Sequence, residues 1–463
     1  MNKVFKKGKS VFILILLMFL SLFLFACKED EIDTPHEHIE SDEWIYDGEY
    51  KCGDEATLIK VCTICNETLD MKFERIQHVY EYETIDATCT VDGKKITTCK
   101  NCDFRTKEKI KATGHVKGSY VVETKATTSS AGTRSLVCAV CNEKLNTVEY
   151  SANNYLEHGK LKVIGKNLLD ENGNKIQLYG LSYHGLQWFG KYVNEDTIMA
   201  LQNNFGINVI RLACYSSEGG WAEGGNEVKE NYKKYIDVAI KTAAKIGLYV
   251  VIDWHMVGAE TVSDKNPLYY MDDAKEFFEY VASTYKDYDN VLYEIMNEPN
   301  GDTTWADCKE YANTIIPIIR KYTDGVVLVG NPKWTADLDS VLKSPLEGYI
   351  NIMYTYHFYA SDHQSTSQVV NAWKKNLPIF ISEYGFMDAD GNGDLDYTSG
   401  ENWLKVLDER NISYIAWNIS NSKGDASILQ YNNPTMTDFT DDNLKTWGIY
   451  LRKLYRSKAG FSD

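Results

Sequence analysis

Residues 291–299 read VLYEIMNEP, an apolar run that gives way to Asn297, Glu298 and Pro299 at its end. Short apolar runs of this kind are typical of buried parallel strands. A second stretch, residues 379–385 (IFISEYG), has the same form and carries Glu383. Two carboxylates delivered by two strand ends suit hydrolysis of a glycosidic bond, because one protonates the leaving oxygen while the other attacks or stabilises the sugar carbon.

Outward from these stretches, short apolar runs alternate with amphipathic helical segments over residues 156–463. The predicted strands cover residues 176–181, 209–212, 249–253, 291–294, 326–329, 352–356, 379–382 and 414–417. The predicted helices cover residues 195–203, 227–245, 272–285, 305–321, 367–375, 401–409 and 442–458. Eight strands alternating with helices over ~300 residues predict an α/β fold, a (β/α)8 TIM barrel, rather than a doubly wound sheet. Because no Gly-rich phosphate loop follows any of these runs, nucleotide binding is disfavoured.

The carboxyl ends of the predicted strands share polar and aromatic residues. In TIM barrels the catalytic groups lie at these ends, whereas ordinary surface positions would be dominated by Lys, Asp and Ser. The residues in question are Arg211, His255, Asn297, Glu298, Trp334, His357, Tyr359, Glu383 and Trp417. The sequence therefore predicts one site at one end of the barrel.

The charge and composition narrow the class of ligand. A net charge of −17 disfavours nucleic acid, since a polyanion would be repelled. A neutral polysaccharide meets no such repulsion. The chain also has 10 Trp and 32 Tyr residues, whose flat rings can stack on pyranose faces, although aromatic residues fill ordinary cores as well.

The stretch from about residue 160 to residue 460 resembles glycoside hydrolase family 5, and most of all its bacterial endo-β-1,4-glucanases. The resemblance rests on residues 178–188 (LYGLSYHGLQW), 251–255 (VIDWH) and 356–359 (YHFY). All eight positions typical of the family are occupied, by Arg211, His255, Asn297, Glu298, His357, Tyr359, Glu383 and Trp417. The resemblance implies a retaining mechanism, a β-glucan substrate and no cofactor for catalysis. The expected assembly is a monomer.

Chemistry and the resemblance agree on the catalytic roles. Glu298 is expected to be the general acid and then the general base, and Glu383 the nucleophile. Arg211 and the Tyr359 hydroxyl would keep Glu383 ionised by charge-assisted hydrogen bonds. Asn297 would bind the sugar 2-hydroxyl.

Other residues are expected to hold the substrate. His357 and His255 would orient Glu298 and sugar hydroxyls, and Trp417 would lie beneath the reacting sugar. The predicted loops at the same face offer stacking residues, and the resemblance adds three further contact positions. These outer candidates are Trp188, Trp334 and Tyr215 for stacking, and His184, Lys423 and Asp425 by resemblance.

The N-terminus has the form of a targeting segment. Four lysines within the first nine residues precede an apolar run over residues 11–25, which is too short for a comfortable transmembrane helix. The following LFAC (residues 24–27) resembles the lipobox of bacterial lipoproteins and implies cleavage after residue 26 and lipidation of Cys27. The alternative is an ordinary secretory signal with an incidental Cys27. We therefore expect a tether over residues 27–35 and a protein anchored at the extracellular face of the cell membrane.

Residues 36–150 contain a repeated cysteine pattern, C-x9-C-x2-C, with a histidine thirteen residues after each of the first two CxxC pairs. The copies contain Cys52, Cys62, Cys65 and His78, then Cys89, Cys99, Cys102 and His115, then Cys138 and Cys141, with Thr128 where the first Cys would fall. The intervening Thr, Val and Ile residues predict small β-hairpins. Units this small bury too little surface to be stable alone, so a cross-link is expected.

The cross-link could be zinc or disulfides. Three Cys and one His suit tetrahedral zinc, whereas an exported protein could form disulfides. Three Cys per repeat is an odd number, which favours metal. Which His joins which Cys pair stays open, because His38, His78 and His115 could equally begin each repeat. We expect a structural rather than a catalytic zinc.

These patterns together predict a lipid-anchored, retaining endo-β-1,4-glucanase that hydrolyses internal bonds of cellulose or soluble β-glucans. Another activity on the same barrel is the first alternative: β-mannanase, xyloglucanase or mixed-linkage glucanase. A surface glycan-binding protein is the second, although both Glu298 and Glu383 count against it. A metal-dependent adhesion module formed by the repeats is the third.

Overall fold

The structure, a computed structural model, describes residues 35–127, 130–258, 264–432 and 436–462. The predicted signal sequence, Cys27, Thr128 and all of the predicted tether except Pro35 lie outside the described residues. The chain divides into two compact units between Thr113 and Gly114. Within the described ranges, no helix has the length and apolar character needed to cross a membrane.

The N-terminal unit contains two three-stranded antiparallel sheets. The first sheet consists of β1 (Ile45–Tyr46), β2 (Glu55–Val61) and β3 (Thr68–Arg75), and the second of β4 (Tyr80–Ile85), β5 (Gly93–Cys99) and β6 (Arg105–Ile110). In each sheet the last two strands form a hairpin, and a CxxC pair lies at its turn. The predicted Cys-rich hairpins are therefore present.

These two sheets have little apolar core. Every residue of β3 and β4 is exposed. The buried apolar residues described in this unit are Ala56, Leu58, Cys62, Cys89, Ile96 and Cys99, of which half are cysteines. Small sheets with one solvated face are marginally stable in water, so the cysteines must contribute more than apolar burial.

The second unit opens with the third copy of the repeat, formed by β7 (Lys117–Thr124), β8 (Gly132–Cys138) and β9 (Lys144–Tyr150). Arg134 on β8 is buried and donates to the Ile246 carbonyl at 2.9 Å and to Gln202 Oε1 at 2.6 Å. Its guanidinium lies 4.2 Å from the centre of the Tyr120 ring. The third repeat is thus packed against the helices of the barrel that follows.

The barrel follows α1 (Tyr155–His158) and a hairpin of β10 (Lys162–Ile164) and β11 (Asn167–Leu169). Eight parallel strands close in chain order: β12 (Tyr179–Tyr183), β13 (Val209–Tyr215), β14 (Tyr249–His255), β15 (Val291–Glu294), β16 (Val327–Val329), β17 (Ile352–Tyr359), β18 (Ile379–Gly385) and β19 (Tyr414–Ile419). The predicted TIM barrel is confirmed.

Helices surround these strands. They are α2 (Leu186–Phe189), α3 (Glu195–Phe205), α4 (Gly225–Ile246), α5 (Met271–Thr284), α6 (Trp305–Arg320), α7 (Pro332–Thr335), α8 (Leu338–Lys343), α9 (Ser367–Lys374), α10 (Tyr397–Asp408) and α11 (Thr446–Ala459), with a 3-10 turn at Gly190–Tyr192. Their apolar faces pack on the outside of the barrel in one large cluster.

A second apolar cluster, which includes Leu168, Val251, Leu292 and Phe380, comes from the first halves of the strands and from the hairpin that precedes the barrel. The interior at the carboxyl ends is therefore left to polar side chains. Most predicted strands end too early, because the polar residues stay in the ladder, as His357 does opposite Glu383. The first predicted strand begins too early, because Ile176 N donates to the Leu168 carbonyl of the preceding hairpin.

Candidate active site

The polar residues at the strand ends face one another because neighbouring strands hold them in register. The register pairs Ser182 with Arg211, Asp253 with Glu294, Tyr215 with His255 and His357 with Glu383. Residues at equal heights on adjacent parallel strands lie close together. The barrel thus gathers the predicted residues at its carboxyl end.

Glu383 is held at both oxygens. Its Oε1 accepts a hydrogen bond from the Tyr359 hydroxyl at 2.7 Å, and its Oε2 accepts one from Arg211 Nη1 at 3.2 Å. Burial, together with the nearby Glu298 carboxylate, raises the pKa of Glu383 against the opposing charges of His357 and Arg211. The group is therefore more basic than an exposed glutamate and fixed in orientation.

Arg211 is fully buried and connects several acidic groups. Its Nε donates to Glu294 Oε2 at 2.7 Å, and its Nη2 lies 2.7 Å from Asn297 Oδ1 and 3.0 Å from Asp253 Oδ2. Burial opposes ionisation of Glu294, but Arg211 and His357 outweigh it and lower the pKa of Glu294 to about 2. Burial raises the pKa of Asp253 well above its ordinary value.

Asp253 and Glu294 have no predicted role, although both lie in the stretches quoted above. A signal was present: each is a carboxylate at the end of an otherwise apolar buried strand. A buried carboxylate requires a hydrogen-bonding or charged partner, and Arg211 was the candidate cation at a neighbouring strand end. Ser182, whose hydroxyl accepts from Arg211 Nη1 at 3.2 Å, carried no comparable signal.

Glu298 lies nearer the mouth of the barrel, with 15% of its side chain exposed. Its Oε1 is 2.8 Å from His357 Nδ1, and His357 Nε2 is 2.9 Å from the Ser382 hydroxyl. Burial lowers the pKa of His357, but Glu294 and Glu298 outweigh it and raise the pKa to about 10. His357 is therefore a cation at neutral pH and donates from both ring nitrogens.

Glu298, His357 and Glu383 converge: one ligand-type atom from each lies within 4.8 Å of the others. Two carboxylates and one imidazole at this distance suit proton transfer to and from a bound substrate. One oxygen of Glu298 thus lies no more than 4.8 Å from one oxygen of Glu383, which suits the ~5–5.5 Å carboxyl separation of retaining glycosidases better than the ~6.5–9.5 Å of inverting ones.

Asn297 and His255 are oriented by hydrogen bonds to other buried groups of the barrel. The Asn297 amide accepts from Arg211 and donates through Nδ2 to the Met256 carbonyl at 3.1 Å. His255 Nδ1 is 2.6 Å from Asp253 Oδ2. Burial, reinforced by the charge of Arg211, lowers the pKa of His255 well below its ordinary value, so the ring is neutral.

Aromatic rings line one side of the site. Trp417 is stacked on His255 with ring centres 5.3 Å apart and lies 5.0 Å from His184. Tyr215 is the last residue of β13 and not, as predicted, part of a loop. Its ring centre lies 4.3 Å from that of His255. Trp188 on α2 lies 5.0 Å from Tyr215 and is 46% exposed. The structure thus brings these predicted residues into one wall.

The remaining predicted contacts lie farther out. Trp334 on α7 is 56% exposed, and its backbone N–H donates to the Pro299 carbonyl at 3.0 Å, directly after Glu298. Asp425 Oδ2 accepts from the Gly393 N–H at 3.0 Å, and Lys423 Nζ lies 5.2 Å from the Tyr431 ring centre. Asp425 and Lys423 are thus partly engaged by neighbouring loops.

The Cys and His residues of the N-terminal unit form two groups of candidate metal ligands. His/Cys group 1 contains His36, His38, Cys62 and Cys65, and His/Cys group 2 contains Cys52, His78, Cys99 and Cys102. Within each group all ligand atoms lie within 4.8 Å of one another. The structure therefore places His38, not His78, with the first CxxC pair. His36 was missed because it precedes the first copy of the repeat.

The remaining predicted ligands are distributed over both units. In the second unit, Cys141 Sγ lies 3.5 Å from His115 Nδ1, and the Val140 N–H donates to Cys138 Sγ at 3.4 Å. Cys89 is buried within the N-terminal unit. His115, Cys138 and Cys141 thus repeat the His and CxxC arrangement of the two groups.

Curated proteins with similar sequences are endoglucanases. Endoglucanase A of Butyrivibrio fibrisolvens is 43% identical over 298 residues, which are 64% of this chain and 68% of that protein. An endoglucanase of Clostridium saccharobutylicum is 42% identical over 299 residues, or 64% of each chain. The chain thus spans about two thirds of the length of these relatives.

Solved structures agree. Cellulase Cel5C_n matches with a TM-score of 0.61 at 35% identity, covering 66% of this chain and 94% of that chain. The catalytic domain of Thermobifida fusca endoglucanase Cel5A matches with a TM-score of 0.60 at 32% identity, covering 65% and 99%. The model of the cellulase family, glycosyl hydrolase family 5, matches residues 169–423, more than half of the chain. The chain is therefore a glycoside hydrolase and belongs to glycosyl hydrolase family 5.

Proposed function

We propose that the chain is a retaining endo-β-1,4-glucanase acting on internal bonds of cellulose or soluble β-glucans. The observation that carries the proposal is the pair of carboxylates, Glu298 and Glu383, of which one oxygen each lies within 4.8 Å of the other. That spacing leaves no room for a water between sugar and nucleophile, as an inverting enzyme would need. The relatives named endoglucanases, and a Thermobifida fusca catalytic domain solved with cellotetraose, support the substrate class.

In the first step, the Glu383 carboxylate attacks the anomeric carbon while Glu298 gives its proton to the glycosidic oxygen. The carbon–oxygen bond breaks, the leaving chain departs as an alcohol, and Glu383 becomes a glycosyl ester. The raised pKa of Glu383 favours attack, and Arg211 with Tyr359 keeps the carboxylate ionised and oriented. The burial around Glu383 thus makes the ionised carboxylate a stronger nucleophile.

In the second step, Glu298 is a carboxylate and takes a proton from the attacking water. The water oxygen bonds to the anomeric carbon, the ester bond breaks, and Glu383 is released with its negative charge. The Nδ1–H of the His357 cation, 2.8 Å from Glu298 Oε1, stabilises the ionised Glu298 between the steps. The net inversion at each step gives retention overall.

Substrate positioning follows from the same contacts. Arg211 and the Met256 carbonyl fix the Asn297 amide, so Nδ2 can donate to the sugar 2-hydroxyl. Trp417 would support the reacting sugar, since its ring is held parallel to His255. The Trp188 and Trp334 rings would hold neighbouring glucose units. Binding several units along an open face suits internal cleavage of a chain.

The test is reducing-sugar release by the full chain from carboxymethylcellulose, with β-mannan, xyloglucan and mixed-linkage β-glucan in parallel. Glu383→Gln should abolish activity, because the amide cannot attack. The matched control is Glu310→Gln, an exposed residue on α6 and not at a strand end. We expect activity on carboxymethylcellulose that survives the control and is lost in Glu383→Gln.

The other outcomes separate the alternatives. Activity confined to mannan, xyloglucan or mixed-linkage glucan would keep the mechanism and correct the substrate. No hydrolysis of any of the four, with retention on a glucan affinity gel, would favour a glycan-binding protein. An α-configured first product from a β-linked substrate, seen by NMR, would overturn the retaining mechanism.

We further propose that the chain is exported and anchored through a lipid on Cys27, with the domain bounds predicted from the sequence. The lysine-rich start, the apolar run over residues 11–25 and the LFAC stretch support this. Mass spectrometry of the mature N-terminus should find a lipidated Cys27, and Cys27→Ser should release the protein from the membrane fraction. An unmodified Cys27 in membrane-free protein would overturn the anchor.

For the N-terminal repeats we propose structural zinc. Two groups of four soft or borderline ligands converge, and the described apolar residues are too few to hold the sheets. Elemental analysis of the full chain should find zinc, and a thiol reagent should react with these cysteines only after a chelator is added. Disulfides would instead give no zinc and thiols that appear only after reduction.

A further inference from the structure

We infer that the zinc held by His/Cys group 2 is a clamp between the two sheets of the N-terminal unit, with ligands drawn from two successive repeats. The inference rests on the zinc binding proposed above. It concerns which residues share one ion, a question the repeat pattern leaves open. Cys52, which begins the first repeat, would bind the same ion as the CxxC pair of the second repeat.

The four ligands of group 2 come from both sheets. Cys52 lies between β1 and β2 of the first sheet, whereas Cys99 and Cys102 lie at the β5–β6 turn of the second sheet. His78 lies in the segment that joins the sheets. An ion bound to all four would tie the first sheet to the second directly.

Backbone hydrogen bonds hold the three segments together on both sides of His78. The Gly53 N–H donates to the Ile76 carbonyl at 2.8 Å, which attaches the Cys52 loop to the joining segment. The Lys100 N–H donates to the Val79 carbonyl at 2.9 Å, which attaches the CxxC turn. The convergence of Cys52 with Cys99 and Cys102 is therefore built by the chain itself.

The distances in group 2 are those of ligands around one tetrahedral ion. Cys52 Sγ is 3.6 Å from Cys99 Sγ, and Cys102 Sγ is 3.4 Å from His78 Nδ1. Zinc bonds of about 2.3 Å to sulfur and about 2.0–2.1 Å to nitrogen place tetrahedral ligands roughly 3.5–3.8 Å apart. A disulfide needs sulfurs about 2.05 Å apart and would leave one of the three thiols over.

Group 1 has no earlier repeat that could supply a counterpart of Cys52, and a histidine occupies that position instead. Its CxxC turn has the same bonds: the Thr63 N–H donates to the Ile39 carbonyl at 2.8 Å, and the Ile64 N–H to Cys62 Sγ at 3.4 Å. His36 Nε2 lies 3.6 Å from Cys62 Sγ, as Cys52 Sγ does from Cys99 Sγ. His36 thus occupies in group 1 the position that Cys52 occupies in group 2. Group 1 is therefore a two-thiolate site and group 2 a three-thiolate site.

The test asks with which CxxC pair Cys52 shares an ion. Zinc per full chain is measured after dialysis against a chelator that the unaltered protein withstands. Two double variants remove one pair each: Cys62→Ala with Cys65→Ala, and Cys99→Ala with Cys102→Ala. Cys52→Ala is then added to both. Hydrolysis of carboxymethylcellulose reports that the barrel of every variant is folded.

The clamp predicts that each double variant loses one zinc. Adding Cys52→Ala to the Cys99 and Cys102 variant should remove no more, whereas adding it to the Cys62 and Cys65 variant should remove a second ion. The reverse pattern, or equal further loss in both, would overturn the clamp while keeping zinc binding. No zinc in the unaltered protein would instead overturn the proposed zinc itself.

Cobalt substitution gives an independent readout. In the Cys62 and Cys65 variant, with no chelator present, Co²⁺ should occupy the three-thiolate site, and adding Cys52→Ala should lower that site's share of the sulfur-to-cobalt charge-transfer band by about one third. An unchanged band would mean that Cys52 is no ligand of that ion and would overturn the clamp.

Discussion

The barrel and the N-terminal unit fix their reactive side chains in opposite ways. In the barrel, every residue of β13 and β14 is buried, and Arg211 is held by partners on neighbouring strands inside a large apolar core. In the N-terminal unit, every residue of β3 and β4 is exposed, and the Cys and His ligands lie in turns and joining segments. Burial positions the first set, and turn geometry positions the second.

The two regions also differ in the source of their stability. In the barrel, the free energy gained from apolar burial offsets the cost of desolvating carboxylates such as Glu294 and Asp253. The buried Arg211 cation lowers that cost by pairing with them. The two N-terminal sheets bury few apolar side chains, so they depend on what their cysteines and histidines bind. The same chain should therefore respond to different perturbations in its two regions.

Metal removal should separate the regions most strongly. Structural zinc contributes on the order of 10 kcal/mol per ion to small domains. With a strong chelator, amide hydrogen exchange should show loss of protection in β2 and β5, while the barrel strands stay protected and carboxymethylcellulose hydrolysis continues. The third repeat should also stay protected, because Arg134 docks it on the barrel.

Two results would contradict this expectation. Unchanged protection of β2 and β5 after complete metal removal would mean that apolar packing suffices there. Loss of protection only after a reductant would mean that disulfides, and not zinc, hold the sheets.

The same arginine substitution in both regions should have very different costs. Arg211→Met leaves Asp253, Glu294 and Glu383 without their buried cation, and breaking such a network costs about 3–5 kcal/mol. Arg105→Met changes an exposed residue of β6 and should cost less than about 0.5 kcal/mol. Denaturant unfolding followed by tryptophan fluorescence measures both. Equal costs would mean that Arg211 does not compensate the carboxylates.

Tyr359→Phe tests the hydrogen bond that keeps Glu383 ionised. A hydrogen bond to a charged group contributes about 1.5–3 kcal/mol, so kcat should fall roughly 10- to 100-fold. The hydroxyl favours the ionised form, so its removal raises the pKa of Glu383 further above its already raised value. Because Glu383 must be ionised to attack, the acid limb of the kcat–pH profile should move to higher pH.

The control for this variant is Tyr356→Phe, a buried neighbour on the same strand whose ring stacks on Trp403. It should change neither kcat nor the acid limb. A Tyr359→Phe profile that drops without moving along the pH axis would show that the hydroxyl positions Glu383 but does not control its protonation.

Arg134→Ala tests the repeat that belongs with the barrel. It leaves Gln202 Oε1 without its buried donor and the Ile246 carbonyl with Gln202 Nε2 as its remaining side-chain donor, which costs about 1–3 kcal/mol of unfolding free energy. The second sheet carries the equivalent pair, exposed Lys95 with its Nζ 5.1 Å from the Tyr82 ring centre. Lys95→Ala should therefore cost less than about 0.5 kcal/mol. An equally small cost for both would mean that the third repeat does not support the barrel.

Much of the barrel could be predicted because its strands are continuous apolar runs. The strand Val291–Glu294 matches its prediction, and Glu298 and Glu383 follow from their place after such runs. Glu294 and Asp253 were missed for the same reason. A strand is identified by its apolar residues, and the single charged residue at its end does not contribute to that pattern. The pKa of Glu383 also needed the structure, since burial and neighbouring charges act on it in opposite directions.

The N-terminal unit could be predicted less well, because the sequence does not show where each repeat begins and ends. The sequence gives equal spacing whether a histidine closes one copy or opens the next, so His38 and His78 could not be assigned. The assignment depends on hydrogen bonds such as Gly53 to Ile76, which join segments of adjacent repeats. Such backbone hydrogen bonds do not depend on residue type, so no sequence pattern predicts them.

The smallest expected effect concerns an exposed ring at the edge of the active site. Trp334 is 56% exposed, and its backbone N–H donates to the carbonyl of Pro299, the residue after Glu298, so we expect its ring to bind a glucose unit of a long glucan next to the site. Stacking of one aromatic ring contributes about 1 kcal/mol, so Trp334→Ala should raise KM for carboxymethylcellulose roughly fivefold and leave kcat unchanged. Ile350→Ala removes a similarly exposed apolar side chain just before β17, at the opposite end of the barrel, and should change neither constant. A fall in kcat for Trp334→Ala would instead place this ring among the groups that position Glu298.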